Sequence, residues 1–103
     1  MHLGKAATPP PNDDLEQFMD PAMAKKLKKQ SVADATDALM ALSDPNTSWE
    51  KRRDAAHYTV GSTGIVGFNQ LSVQLSNAEQ AAKDSDQATL DLCIIELKKT
   101  LSI

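Results

Sequence analysis

A histidine near the middle of the chain is followed by a run of glycines. His57 precedes Gly61, Gly64 and Gly67, three of the four glycines in the 103 residues. On a helix that turns 100° per residue, Gly61 and Gly64 lie within roughly 40° of the histidine, on its own face. Each glycine inside a helix costs about 0.5–1 kcal/mol relative to alanine, so the run needs a reason. It leaves the imidazole open to close approach by another molecule.

The residues around this histidine exclude several kinds of chemistry. No second histidine or cysteine stands at metal-ligand spacing, since His2 lies near the start of the chain and Cys93 is the only cysteine. We expect Cys93 to be buried and inert, which leaves no pair of nucleophile and base. The segment 61–64 lacks the lysine and the strand-to-helix setting of a phosphate-binding loop. A surface histidine without function is the simplest alternative, and the glycines argue against it.

What remains is an imidazole that carries a group covalently. A histidine side chain in water is mostly neutral at pH 7, and the neutral form is the nucleophile. An open helix face would let the catalytic site of another protein reach the ring nitrogen. The chain itself would then contribute a rigid support.

The composition excludes other classes of function. The 11 basic and 14 acidic residues give a net charge of −3, so we expect no nucleic-acid partner. No apolar run approaches about 18 residues, and the N-terminus lacks the apolar core of a signal peptide, so we expect no membrane span. The single cysteine excludes an internal disulfide. We expect a cytoplasmic protein that is a monomer.

Proline and turn residues divide the chain into a tail and a helical domain. Residues 1–12, with three consecutive prolines, are expected to form a flexible tail, and residues 13–103 a single domain. Apolar residues recur at spacings of three and four, and no segment alternates at period two. The fold predicted is all-α, an up-down-up-down four-helix bundle with a short extra N-terminal helix at about residues 13–19.

The four long helices are predicted from their caps and their apolar stripes. The first runs from about Pro21 to Leu42, the second from a Thr47 cap to a stop at Gly67, the third from Phe68 to Ala82, and the last from an Asp84 cap to Leu101. We expect Lys25, Lys26, Lys28 and Lys29 to form a solvated face. The inward residues expected are Met23, Leu27, Val32, Ala35, Ala38, Leu39 and Leu42; then Ala55, Thr59, Ser62 and Val66; then Phe68, Leu71, Leu75, Ala78 and Ala82; and finally two stripes, Ala88, Leu92 and Ile95 beside Leu90, Ile94, Leu97 and Leu101.

The histidine and its glycines resemble the signature of the histidine-containing phosphotransfer domains of phosphorelays. In that family the histidine is followed by a glycine four residues on, by small residues, and by a further glycine ten residues on, all on one helix of a four-helix bundle. His57, Gly61, Ser62, Thr63 and Gly67 occupy those positions. The resemblance covers the folded region, from about residue 13 to residue 101.

The resemblance implies a covalent phosphocarrier and not an enzyme. A phospho-aspartate on a response-regulator receiver domain, or on a hybrid histidine kinase, would donate its phosphoryl group to His57 at the ring nitrogen farthest from the backbone. His57 would pass the group to the aspartate of another receiver. Magnesium would belong to the receiver, so this chain would bind no metal or ATP of its own. Arg53, Gly61, Ser62 and Gly64 would stabilise the phosphoryl group or dock the receiver.

One position departs from the family pattern, and two other functions stay open. Many members have lysine or arginine three residues after the histidine, where this chain has Val60. Arg53, one turn before His57, either replaces that cation or is a solvated arginine with no such role.

One alternative function is that of a helical docking module that has kept the bundle without the phosphotransfer chemistry. The second is the phospho-accepting domain of a chemotaxis-type kinase, which ATP-bound kinase domains would phosphorylate directly.

Overall fold

The protein is a bundle of helices. A computed structural model describes residues 19–103, which contain four α-helices and no strand. Consecutive helices pack against each other, and the first also packs against the last. Their bounds are Pro21–Ser43 (α1), Trp49–Ile65 (α2), Asn69–Lys83 (α3) and Gln87–Leu101 (α4). The all-α prediction is confirmed.

Two of the predicted segments lie outside the part of the chain that the structure describes. These are the tail at residues 1–12 and the short helix at 13–19, of which only Met19 is described, in a bend before α1. Within residues 19–103, none of the helices combines the length and the apolar character that crossing a membrane requires.

Leucines and alanines form the core. Leu42, Leu75, Leu90 and Leu97 are fully buried, and alanines of α1, α2 and α3 pack around them. Burial of one leucine side chain is worth about 1.5–3 kcal/mol, so these four residues contribute a large share of the apolar stabilisation. The stripe predicted for α3 is confirmed, because four of its five members are buried and Phe68 is half-buried beside them.

One of the two stripes predicted for α4 is wrong. Leu92 and Ile95 are 65% and 49% exposed, and Ala88 is exposed as well. The opposite stripe faces the core, with Leu90 and Leu97 buried. The sequence of α4 is apolar on both sides, so periodicity alone could not choose which side the other helices cover.

The buried faces predicted for α1 and α2 are confirmed in part, because Ala35, Ala38, Leu39 and Leu42 of α1, Thr59 of α2 and Val66 at its end are buried as predicted. In α1, Ala24 is buried while Met23 and Val32 are largely exposed. In α2, Ala56 and Thr63 are buried, where Ala55 and Ser62 were predicted. Both faces shift toward small side chains, which permit the neighbouring helix to approach closely.

Two helix caps differ by one or two residues from those predicted. Ser48, not Thr47, caps α2, because its hydroxyl oxygen accepts from the Lys51 amide at 3.1 Å. Asp86, not Asp84, caps α4. Its carboxylate accepts from the Thr89 hydroxyl at 2.6 Å and from the Thr89 amide at 3.1 Å. Both hydrogen bonds lower the pKa of Asp86, and the bond from the Thr89 hydroxyl has the larger effect.

A buried arginine fixes the start of α2 against two other segments. Arg52 donates from Nη2 to the Asp44 carbonyl at 2.7 Å and from Nη1 to Gln87 Oε1 at 3.5 Å. Its guanidinium carbon also lies 4.6 Å from the centroid of the Trp49 ring. Arg52 thus joins the α1–α2 loop and the first turn of α4 to the helix that carries His57, a role the sequence pattern did not suggest.

Candidate functional site

The candidate site is centred on an exposed imidazole. His57 lies in the middle of α2, a helix of 17 residues, and its side chain is 75% exposed. It therefore stands on the solvent face, as predicted. Thr59, on the opposite side of the helix, and Ala56, about 100° around it, are buried against the bundle and hold that face outward.

A carboxylate from the next helix holds one nitrogen of the ring. His57 Nδ1 lies 2.9 Å from Glu79 Oε2 of α3, and the Glu79 side chain is only 20% exposed. An ionised carboxylate can only accept hydrogen bonds, so the proton of the neutral ring is on Nδ1. The lone pair is then on Nε2, the nitrogen farther from the backbone. This tautomer presents a nucleophile to solvent.

Glu79 was not among the predicted site residues, although the sequence contains a signal for it. It is the only acidic residue within α3, and it lies four residues after the buried Leu75 on a helix predicted to pack next to the histidine helix. A lone carboxylate on the polar face of that neighbouring helix was therefore the natural candidate. The missing information was the register between the two helices.

The two glycines beside His57 differ in what surrounds them. A Cβ atom added at Gly61 would meet nothing within 4 Å, so this position is open to solvent. A Cβ at Gly64 would lie 3.5 Å from the Ser72 hydroxyl, an ordinary van der Waals contact with α3. Both glycines are exposed, as predicted. The clearance next to the imidazole is therefore widest at Gly61.

Gly67 ends the glycine run and the helix. Its φ angle of 86° is in the left-handed region that favours glycine. The Phe68 amide donates back to the Thr63 carbonyl at 2.9 Å, and the Gly67 amide to the Gly64 carbonyl at 3.1 Å. This is the bonding of a Schellman motif, and it confirms the predicted helix stop.

Three contacts fix the register between α2 and α3. His57 meets Glu79, Gly64 faces Ser72, and the Ser72 hydroxyl donates to the Val60 carbonyl at 3.1 Å. Seven residues separate His57 from Gly64, and seven separate Ser72 from Glu79. The two helices therefore run in opposite directions beside the site.

Val60 faces the core and not the imidazole. Its side chain is half-buried and packs against the hydrophobic core. The position where the resembling family often has a cation is thus a packing position in this chain.

Arg53 lies on the predicted face but pairs with its neighbour. Its Nε and Nη2 atoms donate to Asp54 Oδ1 at 3.2 and 2.9 Å. This hydrogen-bonded carboxylate raises the pKa of the Arg53 guanidinium. Among the described residues, no hydrogen bond or ion pair joins Arg53 to His57.

Ser62 borders a groove between α1 and α2. It is half-buried, and its hydroxyl has no hydrogen-bond partner within the described chain. Tyr58 and Ile65 line the same groove and are largely exposed. The structure therefore places Ser62 in a small apolar surface next to the histidine face and not against the imidazole.

The described residues contain no cluster that could hold a metal ion. From residue 19 to residue 103, no group of three histidine, cysteine or acidic side chains is arranged to hold a metal ion. Cys93 is half-buried rather than fully buried, and burial raises the pKa of its thiol.

Comparisons of this chain with protein-family models, with curated proteins and with solved structures found no match.

Proposed function

We propose that this protein is a histidine phosphocarrier of the phosphorelay type. The observation that supports this proposal best is the His57–Glu79 pair. An exposed imidazole has its Nδ1 held at 2.9 Å by a carboxylate, and an open glycine position, Gly61, lies one turn away. A histidine without function would need neither the carboxylate partner nor the cleared face.

The proposed step is a phosphoryl transfer to His57 Nε2. The acyl-phosphate P–O bond of a receiver phospho-aspartate breaks, and its electron pair stays with the aspartate carboxylate as a P–N bond forms. The proton stays on Nδ1, so the ring becomes a phospho-imidazolium. Glu79 stabilises the positive charge that the ring acquires and keeps Nε2 as the reacting atom. The reverse step delivers the phosphoryl group to a second receiver.

The remaining parts of the proposal follow from this role. The four helices would form an up-down-up-down bundle that supports the imidazole, and the exposed Tyr58 and Ile65 would contact the receiver beside it. The receiver, or a hybrid kinase that carries one, would hold the magnesium and the acidic pocket. The chain would then act in the cytoplasm as a monomer, with no nucleotide of its own.

A labelling experiment tests the proposal. Wild type, His57→Gln and His2→Gln are incubated with a phosphorylated receiver domain, and protein-bound phosphate is measured with and without acid treatment. We expect acid-labile phosphate on wild type and His2→Gln and none on His57→Gln. Equal labelling of His57→Gln and wild type would refute the assignment.

The same experiment separates the alternatives. A docking module would bind a receiver domain but acquire no acid-labile phosphate. The phospho-accepting domain of a chemotaxis-type kinase would be labelled by an ATP-bound kinase domain and not by a phosphorylated receiver. The Glu79 contact favours chemistry over docking alone, because a docking surface has no need to fix the tautomer of one imidazole.

A further inference from the structure

A phosphoryl group on His57 would add negative charge beside a carboxylate. Glu79 Oε2 lies 2.9 Å from Nδ1 and balances the positive charge that the ring acquires, so the negative charge of a phosphoryl group on Nε2 needs a cation of its own. Val60 packs against the core, and the Arg53 guanidinium is bonded to Asp54. Neither residue therefore offers an uncommitted positive charge.

The register between α2 and α3 brings another cation to this place. Because His57 is level with Glu79 and the helices are antiparallel, one turn back along α2 corresponds to one turn forward along α3. Arg53, four residues before His57, is thus level with Lys83, four residues after Glu79. Residues four apart on a helix share a face, so Lys83 lies on the same face of α3 as Glu79.

Lys83 is an uncommitted cation. It is exposed in the last turn of α3, and within residues 19–103 no hydrogen bond or ion pair involves its ammonium group. Its flexible four-carbon side chain can adjust its conformation to place the compact ammonium charge next to a phosphate. A glutamate four residues before a lysine is also the favourable order for a helical ion pair. The ammonium group can therefore lie between the Glu79 carboxylate and an oxygen of the phosphoryl group.

We propose that Lys83 contacts the phosphoryl group on His57 Nε2 and supplies the positive charge that Val60 does not. This inference rests on the proposed function and extends it, because it assigns the phosphoryl contact to α3 and not to the histidine helix. His57 would supply the reacting nitrogen, Glu79 the fixed tautomer, and Lys83 the compensating charge. The site would thus be shared by two helices.

The test compares matched lysine variants. Lys83→Gln, Lys83→Arg and Lys98→Gln are phosphorylated with phosphoramidate, a small donor that needs no protein partner. Lys98 is the control, since it is an exposed lysine in the last turn of α4, as Lys83 is in α3. The pKa of the bound phosphoryl group is then measured by phosphorus NMR titration. Helical circular dichroism verifies that each variant is folded.

We expect Lys83→Gln to raise the pKa of the phosphoryl group, because an adjacent cation favours its dianion. The strength of exposed ion pairs corresponds to a rise of roughly 0.2 to 0.7. Lys83→Arg should retain most of the wild-type value, and Lys98→Gln should match it. In equilibrium with a phosphorylated receiver, Lys83→Gln should hold about two- to fivefold less phosphohistidine relative to phospho-aspartate.

Two results would overturn the inference while leaving the proposed function intact. The first is a labelled Lys83→Gln protein whose phosphoryl pKa equals that of Lys98→Gln. The second is an Arg53→Gln variant that raises this pKa while Lys83→Gln does not, which would assign the contact to Arg53. Wild-type protein whose His57 takes no phosphate from phosphoramidate or from a receiver would instead contradict the proposed function itself.

Discussion

Removal of the Glu79 carboxylate should slow the phosphorylation of His57. As the P–N bond forms at Nε2, the ring gains positive charge and its Nδ1–H becomes a stronger donor. The hydrogen bond to Glu79, 2.9 Å long, is therefore stronger in the transition state than in the free protein. Only such a differential interaction accelerates the step.

The size of the effect follows from the exposure of the two partners. A well-formed hydrogen bond to a charged group is worth about 1.5–3 kcal/mol. The His57 side chain is 75% exposed, although that of Glu79 is only 20% exposed, so solvent screens much of the interaction. A value of about 1 kcal/mol, the upper end for exposed pairs, is reasonable. Glu79→Ala should then lower the rate about fivefold, and Glu79→Gln, which keeps an acceptor without the charge, should lower it less.

The assay uses phosphoramidate, so that no receiver contact contributes to the rate. The fraction of phosphorylated protein is followed with time for wild type, Glu79→Ala, Glu79→Gln and the control Glu96→Ala, which removes an exposed carboxylate of α4. Wild-type and Glu96→Ala rates should agree. An unchanged rate in Glu79→Ala would refute the electrostatic role. NMR evidence that the phosphoryl group is on Nδ1 would refute the tautomer argument as well.

Experiments at four other positions test further parts of the site and the fold. Gly61→Ala should raise the free energy of unfolding by about 0.5–1 kcal/mol in chemical denaturation, because nothing obstructs its Cβ. Gly61→Leu should keep the fold but block phosphoryl transfer from a receiver. The control Ala33→Leu, on the exposed side of α1, should leave that transfer unchanged. Val60→Lys should change the equilibrium phosphohistidine level in receiver exchange only slightly, because Lys83 already supplies the compensating charge, although a lysine stem at this position can cover the same apolar surface and extend its ammonium outward; a marked increase would contradict compensation by Lys83. Ser48→Ala should lower the free energy of unfolding by about 1 kcal/mol through loss of the α2 cap, and a change below 0.3 kcal/mol, roughly the error of such measurements, would contradict that cap. The Cys93 thiol should react with a disulfide reagent at pH 8 more slowly in the folded protein than in urea, because burial raises its pKa; equal rates would contradict its burial.

The sequence was sufficient for the parts of the structure that local patterns determine. The stripe of α3 was predicted because, apart from the exposed Val73, its large apolar residues lie on one face, with polar residues elsewhere. The stop at Gly67 was predicted because a left-handed residue at a helix end favours glycine. The outward position of His57 followed from the glycines beside it, which have no packing to contribute.

Features that depend on how one helix packs against another could not be predicted from local sequence patterns. Glu79 is 22 residues from His57 in sequence, and only the register of α2 against α3 brings the two together. The exposed stripe of α4, with Leu92 and Ile95, could not be distinguished from the buried one, because both have the period of a helix. The cap at Ser48 was missed because two adjacent hydroxyl residues can each serve, and backbone geometry decides between them.

The composition of α2 explains why a second helix must complete the site. Glycines on its outer face reduce its intrinsic stability, and after Arg52 in its first turn its buried face has only the small residues Ala56, Thr59 and Thr63. The two threonine hydroxyls donate to carbonyls of their own helix, at 2.8 Å to Ala55 and Thr59, so they need no polar partner from a neighbour. Such a helix depends on tertiary packing for its stability, and its small buried face permits close approach by other helices. At the site that neighbour is α3, whose polar side chains at Ser72 and Glu79 reach α2 directly. The features that open the histidine face therefore also make its imidazole depend on α3 for its orientation.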